Sequence, residues 1–113
     1  MGLEYRSALI FGWEAEELRR KMAEAESEER YDYVDKIYEQ LDKSEFILDV
    51  NKDFLYVGKV ISNRDTYDNA NTIFINEIDF KEFAREAYEQ IEPLKEFWKP
   101  TEPPQLIHFC YMW

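Results

Sequence analysis

His108 and Cys110 are the residues whose types and spacing first suggest a reaction. They lie in one apolar segment near the end of the printed sequence, and each is the single residue of its type. On a strand their side chains would point to the same sheet face, where a cysteine nucleophile and a histidine base could meet. Neighbouring positions on one strand rarely give the required hydrogen-bonded geometry, and neither residue has an evident orienting partner. We therefore expect both to be buried in the core, and we assign no catalytic residue.

Metal-binding and phosphate-binding patterns are incomplete. The stretch 63–71 is rich in oxygen ligands, but counting from Asp65 puts Ala70 where an EF-hand needs Gly and Asn76 where it needs Glu. One His and one Cys are too few ligands for structural zinc. The glycines form no phosphate-binding turn. We expect no metal, no cofactor and no enzymatic activity, because no set of residues fills the roles of a catalytic site.

The charge of the chain restricts its partners. The formal net charge is −11, from 25 acidic and 14 basic residues. Such a surface repels phosphate backbones and anionic lipids, so we expect neither direct nucleic-acid binding nor membrane binding. The same field would speed the encounter with a basic protein surface. The alternative is that the charge serves solubility alone.

Two further features bear on location. Cys110 cannot form an intramolecular disulfide without a second cysteine, which excludes a disulfide-stapled secreted fold. The sequence contains neither an apolar run long enough to span a membrane nor the basic-then-apolar pattern of a signal peptide. We therefore expect a cytoplasmic protein.

Hydrophobic periodicity predicts the elements that must position these residues. Strands are predicted at 5–13, 46–50, 54–61 and 106–113, with a short extra strand at 73–78 and a polar loop at 63–71. The helical stretch 14–42 is too long for one helix in a domain of this size, so we expect a break near 25–28, with Ser27 capping the second piece. Asp79 and Glu82 form an acidic capping box for another helix, which Pro93 ends.

The resulting order is strand, helix, strand, strand, helix, strand. A βαββαβ ferredoxin-like sandwich requires this order, with an antiparallel sheet and the helices on one face. We expect residues 1–113 to form a single acidic α+β domain.

The last predicted strand is apolar on both faces, although a sandwich of this kind leaves one sheet face open. Phe109, Tyr111 and Trp113 point to one side, and residues 54–57 could extend their row. A homodimer, a partner protein or a small ligand could cover this aromatic face. Alternatively, the Pro-rich connector, which contains Pro100, Pro103 and Pro104, or the first helix covers this face within the chain.

Carboxylates are concentrated where the first helical stretch is expected to break. This acidic ridge is formed by Glu24, Glu26, Glu28, Glu29 and Asp32, and Asp65 and Asp68 extend it if their loop lies near. A ridge of carboxylates can imitate a phosphate backbone and occupy a basic groove. The more ordinary interpretation is a solvated helix.

Four segments together resemble small acidic phage-encoded proteins of the counter-defence type. They are the opening strand 7–13, the Glu-rich helix after it, the middle strand 54–61 and the Pro-then-aromatic end 104–113. The resemblance covers most of the chain and implies no catalytic residue. It implies a non-enzymatic inhibitor that works in the host-cell cytoplasm. Such a protein would dock its acidic surface on the basic groove of a CRISPR-type or other nucleic-acid-handling defence enzyme.

The alternative is a small-ligand binder that sequesters a nucleotide. In that case the C-terminal strand would build an oligomer interface, and the interface would form the pocket.

Overall fold

The computed structural model describes residues 5–49, 51–65 and 79–112. Its elements are β1 (Tyr5–Glu14), α1 (Glu16–Ser27), α2 (Tyr31–Leu41), β2 (Phe46–Leu48), β3 (Leu55–Asp65), α3 (Phe80–Ile91), a 3-10 turn (Glu92–Leu94) and β4 (Gln105–Met112). The order of strands and helices is the predicted one, with the first helical stretch divided into α1 and α2.

The four strands form one antiparallel sheet in the order β2-β3-β1-β4. Two long central strands, β1 and β3, are flanked by the edge strands β2 and β4. This is the strand order of a ferredoxin-like sandwich, so the α+β fold class predicted from the sequence is confirmed.

The helices pack on one sheet face and close the main core there. Leu55 and Val57 of β3 and Trp13 of β1 contribute the sheet side of this core, as the strand alternation requires. The apolar faces of the helices contribute the other side, through Leu18, Met22, Ile37, Leu41, Ala87 and Ile91. Several of these side chains are completely buried. Each such leucine or isoleucine stabilises the fold by roughly 1.5–3 kcal/mol.

The break in the first helical stretch lies slightly later than predicted, and Ser27 does not cap α2. The Ser27 hydroxyl donates instead to the carbonyl of Glu24, within α1. Arg30 occupies the N-cap position of α2 and makes no side-chain cap hydrogen bond. The expectation for Ser27 was wrong because α1 extends to Ser27, whose hydroxyl donates to a backbone carbonyl one turn back.

The β2–β3 hairpin is confirmed, with different strand lengths. β2 ends at Leu48, and β3 runs on to Asp65. Asn63 and Asp65 therefore belong to a strand, and the prediction of a loop from residue 63 was wrong for 63–65. Pairing with β1 continues to Arg6 and keeps this polar end extended. The rest of the predicted loop, the extra strand 73–78 and Trp113 lie outside the described residues.

The capping box of α3 is confirmed, because the Asp79 carboxylate accepts the N–H of Glu82 at 3.1 Å. Beyond α3, Phe97 and Trp98 are buried against the main core. Trp13 meets Trp98 edge to face, with 6.3 Å between the ring centroids. The Trp13 indole also donates to the carbonyl of Glu102 at 2.7 Å, which ties the Pro-rich connector to β1.

Candidate functional site

The sheet face turned away from the helices carries a small second core. Ala8, Ile47 and Tyr111 are buried together there, and Val60 and Phe109 pack against them. In the strand register, Ala8 lies opposite Phe109, and Ile47 lies opposite Tyr56. Side chains from all four strands therefore cover much of this face. We call it the aromatic face.

Four rings form a continuous row across the aromatic face, which we call the aromatic row. Phe54 and Tyr56 stack with 6.5 Å between centroids, and Tyr56 and Phe109 stack at 3.9 Å. Phe109 then meets Tyr111 at 5.7 Å. The Tyr111 hydroxyl donates to the Asn63 side chain at 2.7 Å, which fixes this end of the row. Of the predicted aromatic residues, Phe109 and Tyr111 are thus brought together, and Trp113 lies outside the described residues.

A pair of glycines lies beneath the middle of this arrangement. Gly12 and Gly58 face each other on β1 and β3. A Cβ on Gly12 would lie 2.1 Å from the carbonyl oxygen of Val57, and one on Gly58 would lie 2.5 Å from that of Phe11. The backbones of β1 and β3 therefore approach so closely at this point that no side chain fits between them. Gly12 also lines a cavity beside Tyr56.

Asp49 holds the turn of the hairpin beside the aromatic row. Its side chain is only 9% exposed. One carboxylate oxygen, Oδ1, accepts the N–H of Asp53 at 2.6 Å and that of Phe54 at 2.9 Å. Within the described ranges, no lysine or arginine pairs with it. The carboxylate thus orders the turn through two neutral donors, and its negative charge stays uncompensated.

A cavity of about 130 Å³ lies between Asp49 and the aromatic row. We call it the aromatic pocket; its walls include Ile47, Asp49, Phe54, Tyr56, Phe109 and Tyr111. Burial, and then the negative charges of Glu14 and Asp49, raise the pKa of the Tyr56 hydroxyl above its ordinary value. The pocket therefore combines aromatic surfaces with a negative potential, which suits a cation.

The acidic ridge lies at the junction of α1 and α2, and most of it is exposed. Glu24, Glu28, Glu29 and Asp32 are exposed, and Glu26 is half-buried. Glu26 pairs with Lys52 at 3.1 Å, and Glu28 pairs with Arg30 at 2.8 Å. In the part of the chain that the structure describes, Glu24, Glu29 and Asp32 have no ion-pair partner. The ridge therefore keeps a net negative charge.

The ridge is shaped by a Schellman motif that ends α1. The N–H of Arg30 donates to the carbonyl of Ala25 at 2.8 Å, and that of Glu29 donates to Glu26 at 3.1 Å. Glu29 takes the left-handed position of this motif, with φ of 60°. Glycine is usual there because a side chain is disfavoured at positive φ. The sequence places a glutamate at a position where the backbone favours glycine.

The hairpin joins the ridge to the aromatic pocket. Lys52, which pairs with Glu26 of the ridge, belongs to the same turn as Asp49 and Phe54 of the pocket. Asp65 is not part of this surface, since it lies at the opposite end of β3 in register with Arg6. Asp68 lies outside the described residues.

The expectation that His108 and Cys110 are buried was wrong, because both are exposed. They share a face of β4 with each other, as predicted, and the His108 ring lies 3.0 Å from the Ser7 hydroxyl. The helices lie over β1 and β3, so they leave this part of β4 uncovered among the residues described. Among the described residues no carboxylate orients the His108 ring, so the Ser7–His108 contact is an ordinary cross-strand polar pair.

The described ranges contain no cluster of three or more His, Cys, Asp or Glu side chains that could hold a metal ion. Asp49 and its role in the pocket were missed from the sequence. An aspartate just before the polar turn Asn51–Asp53 is a signal for side-chain capping of a hairpin, and it could have singled out this residue.

The chain matches no protein family, curated protein or solved structure. No described helix is both long and apolar enough to cross a membrane.

Proposed function

We propose that this chain is a non-enzymatic inhibitor whose acidic ridge docks on the basic groove of a nucleic-acid-handling enzyme. The enzyme would be a bacterial defence nuclease of the CRISPR type or a related host protein, and the chain would be phage-encoded and act in the host cytoplasm. The ridge would occupy the groove in place of a phosphate backbone.

The backbone conformation of Glu29 is the observation that carries this proposal. This conformation is one that glycine adopts freely and that costs other residues on the order of 1 kcal/mol. The side chain is exposed and has no ion-pair partner in the described part of the chain, so local contacts give no compensation. A charge kept at a strained position is expected where the charge itself is used.

The position of Glu24 and Glu26 supports the same conclusion. Both lie near the C-terminal end of α1, whose last turn contains no basic residue. A helix dipole disfavours negative charge at this end, typically by 0.3–1 kcal/mol at an exposed site, on the order of RT. Glu26 offsets this cost by its ion pair with Lys52. Helix stability does not account for Glu24, whose charge is available to a basic surface.

Co-purification from a bacterial lysate at low and high salt tests the proposal. The triple variant Glu24→Lys, Glu28→Lys and Glu29→Lys is compared with the unmodified chain. The unmodified chain should capture a basic nucleic-acid-handling enzyme at low salt, release it at high salt and release it when DNA is added. In a kinetic binding assay with the captured enzyme, the association rate of the triple variant should be at least roughly tenfold lower, because it lacks electrostatic steering.

A matched control separates the ridge from net charge. The variant Asp35→Lys, Glu39→Lys and Asp42→Lys changes the charge equally at exposed positions farther along α2. It should retain most of the binding. Equal losses in both variants, or binding that neither salt nor DNA weakens, would contradict the proposal.

A small-ligand binder is the second candidate, and a larger cavity favours it. This cavity of about 440 Å³ lies on the other side of Tyr56, with Glu14, Glu102 and Ile107 on its walls. Its volume falls within the roughly 300–1,000 Å³ typical of small-molecule sites. Its carboxylates would repel the phosphates of a nucleotide. Native mass spectrometry at low salt tests this candidate, and a bare 13.8 kDa monomer would count against both a tight ligand and a homodimer built on β4.

A further inference from the structure

Asp49 is a buried anion whose charge is not matched by a cation in the described chain. Its contacts are the two backbone N–H groups of Asp53 and Phe54, which satisfy hydrogen bonds but carry no net charge. Burying a carboxylate is costly, and both N–H groups donate to the same oxygen, Oδ1, so they offset only part of this cost. An external cation that enters the aromatic pocket would supply this compensation.

The rings of the pocket are arranged to receive such a cation. Phe54 is 50% exposed and forms the outer end of the aromatic row, while Tyr56 and Phe109 stack further in. Aromatic faces attract cations through their quadrupoles, and a flat guanidinium can also stack on a ring. The half-exposed Phe54 therefore leaves a ring surface available at the mouth of the pocket.

The size of the pocket selects a side chain rather than a whole metabolite. At about 130 Å³ it is well below the roughly 300–1,000 Å³ of sites that enclose a small molecule. Arginine fits this chemistry better than lysine, because guanidinium is planar and more weakly hydrated than an ammonium group. Arginine is also enriched among the residues that dominate binding energy at protein interfaces.

We propose that the aromatic pocket is the anchor that receives an arginine side chain of the basic partner. The identity of the partner rests on the proposed function, whereas the affinity of the pocket for arginine does not. The hairpin turn links the two surfaces, since Lys52 pairs with Glu26 of the acidic ridge and its N–H donates to Asp49 of the pocket. The pocket and the ridge lie on opposite sides of the sheet, so a partner contacts both by reaching around this hairpin, with the ridge governing the association rate and the pocket governing the dissociation rate.

The test uses the intact protein and three small probes in NMR titrations. The probes are N-acetyl-arginine N-methylamide, its lysine counterpart and its citrulline counterpart, which has nearly the shape of arginine without the charge. The arginine probe should shift the signals of Phe54, Tyr56 and Phe109, with a dissociation constant on the order of 1–10 mM. The lysine probe should bind several times more weakly, and the citrulline probe should leave these signals unchanged.

Two variants test the pocket without unfolding it. Asp49→Asn keeps an oxygen that can accept both backbone N–H groups and removes the charge. Phe54→Ala removes a half-exposed ring. Each should weaken arginine binding by about tenfold or more, whereas Asp35→Asn on exposed α2 should not. Amide spectra of the variants show whether the fold is retained.

Several outcomes would overturn the inference. They are equal shifts by the arginine and citrulline probes, equal binding of the arginine and lysine probes, or shifts confined to the acidic ridge. In a separate titration, stronger shifts by guanosine than by the arginine probe would identify a nucleobase pocket instead. A partner bound through the ridge with no effect of Asp49→Asn and Phe54→Ala would overturn the anchor and leave the proposed function standing. Arginine binding without any ridge-dependent partner would overturn the proposed function and leave the arginine pocket standing.

Discussion

Tyr56 and Phe109 stack with their ring centroids 3.9 Å apart, although they come from strands that do not pair with each other. β1 runs between their strands, and Tyr56 lies opposite Glu14 whereas Phe109 lies opposite Ala8. The rings therefore meet across β1. This contact builds the wall of the aromatic pocket from distant parts of the chain.

A β-bulge interrupts the pairing of β1 with β3. Between Leu9 and Ile10 the partner on β3 shifts from Ser62 to Val60, which leaves Ile61 as the extra residue. A bulge increases the local right-handed twist of a strand pair.

Gly58→Ala should destabilise the protein strongly. Gly58 has φ of 141°, and an added Cβ would lie 2.5 Å from the carbonyl oxygen of Phe11. We expect a loss of at least about 1–3 kcal/mol in the free energy of unfolding, from strain alone. Urea unfolding measures it. Ser62→Ala on the same strand is the control and should change stability by less than about 0.5 kcal/mol. Similar stability of the two variants would contradict the close approach of β1 and β3.

Glu29→Gly should stabilise the protein while weakening the docking surface. Glycine relieves the positive φ of 60° at this position, so we expect a gain of up to about 0.5–1 kcal/mol in the free energy of unfolding. Glu28→Gly is the matched control, since the φ of Glu28 is −91° and glycine would gain nothing there. Chemical denaturation distinguishes the two. A destabilised Glu29→Gly variant would argue against the Schellman geometry.

Tyr56 should make the protein sensitive to alkaline pH. Burial, and then the charges of Glu14 and Asp49, raise its pKa in the folded state. The stabilisation is fully present below the unfolded pKa of about 10, and it is lost as the pH rises through the higher folded value. As the pH rises above 9, the free energy of unfolding should therefore fall less in the Tyr56→Phe variant than in the unmodified chain. Urea unfolding at each pH measures it. Identical pH profiles would contradict the raised pKa.

Local sequence signals predicted most of the elements. The strand predicted at 5–13 corresponds to β1, in which Trp13 and Ala8 point to different faces, because a strand with two different environments shows a period of two. The capping box at Asp79 correctly located the start of α3. The end of β3 was missed, because its polar residues 63–65 are held extended by pairing with β1 and not by their own propensity.

The candidate site was only partly predictable. The acidic ridge is visible in the sequence because its carboxylates are neighbours along the chain, yet the strain at Glu29 depends on how α1 ends. The burial expected for His108 failed because hydrophobicity of a strand does not reveal which part of its face the helices reach. The capping role of Asp49 had a signal in its place before a polar turn, but its burial beside the aromatic row depends on the folded sheet.

The sequence by itself determined the charge, the order of the elements and hence the α+β class, since these follow from composition and local periodicity. The tertiary structure decided where charge and aromatic surface meet. The stacking of Tyr56 on Phe109 joins two strands that are not neighbours in the sheet, and the burial of Asp49 depends on packing between residues far apart in the chain. Such non-local contacts leave no periodic trace in the sequence, because each strand records only which of its faces is buried.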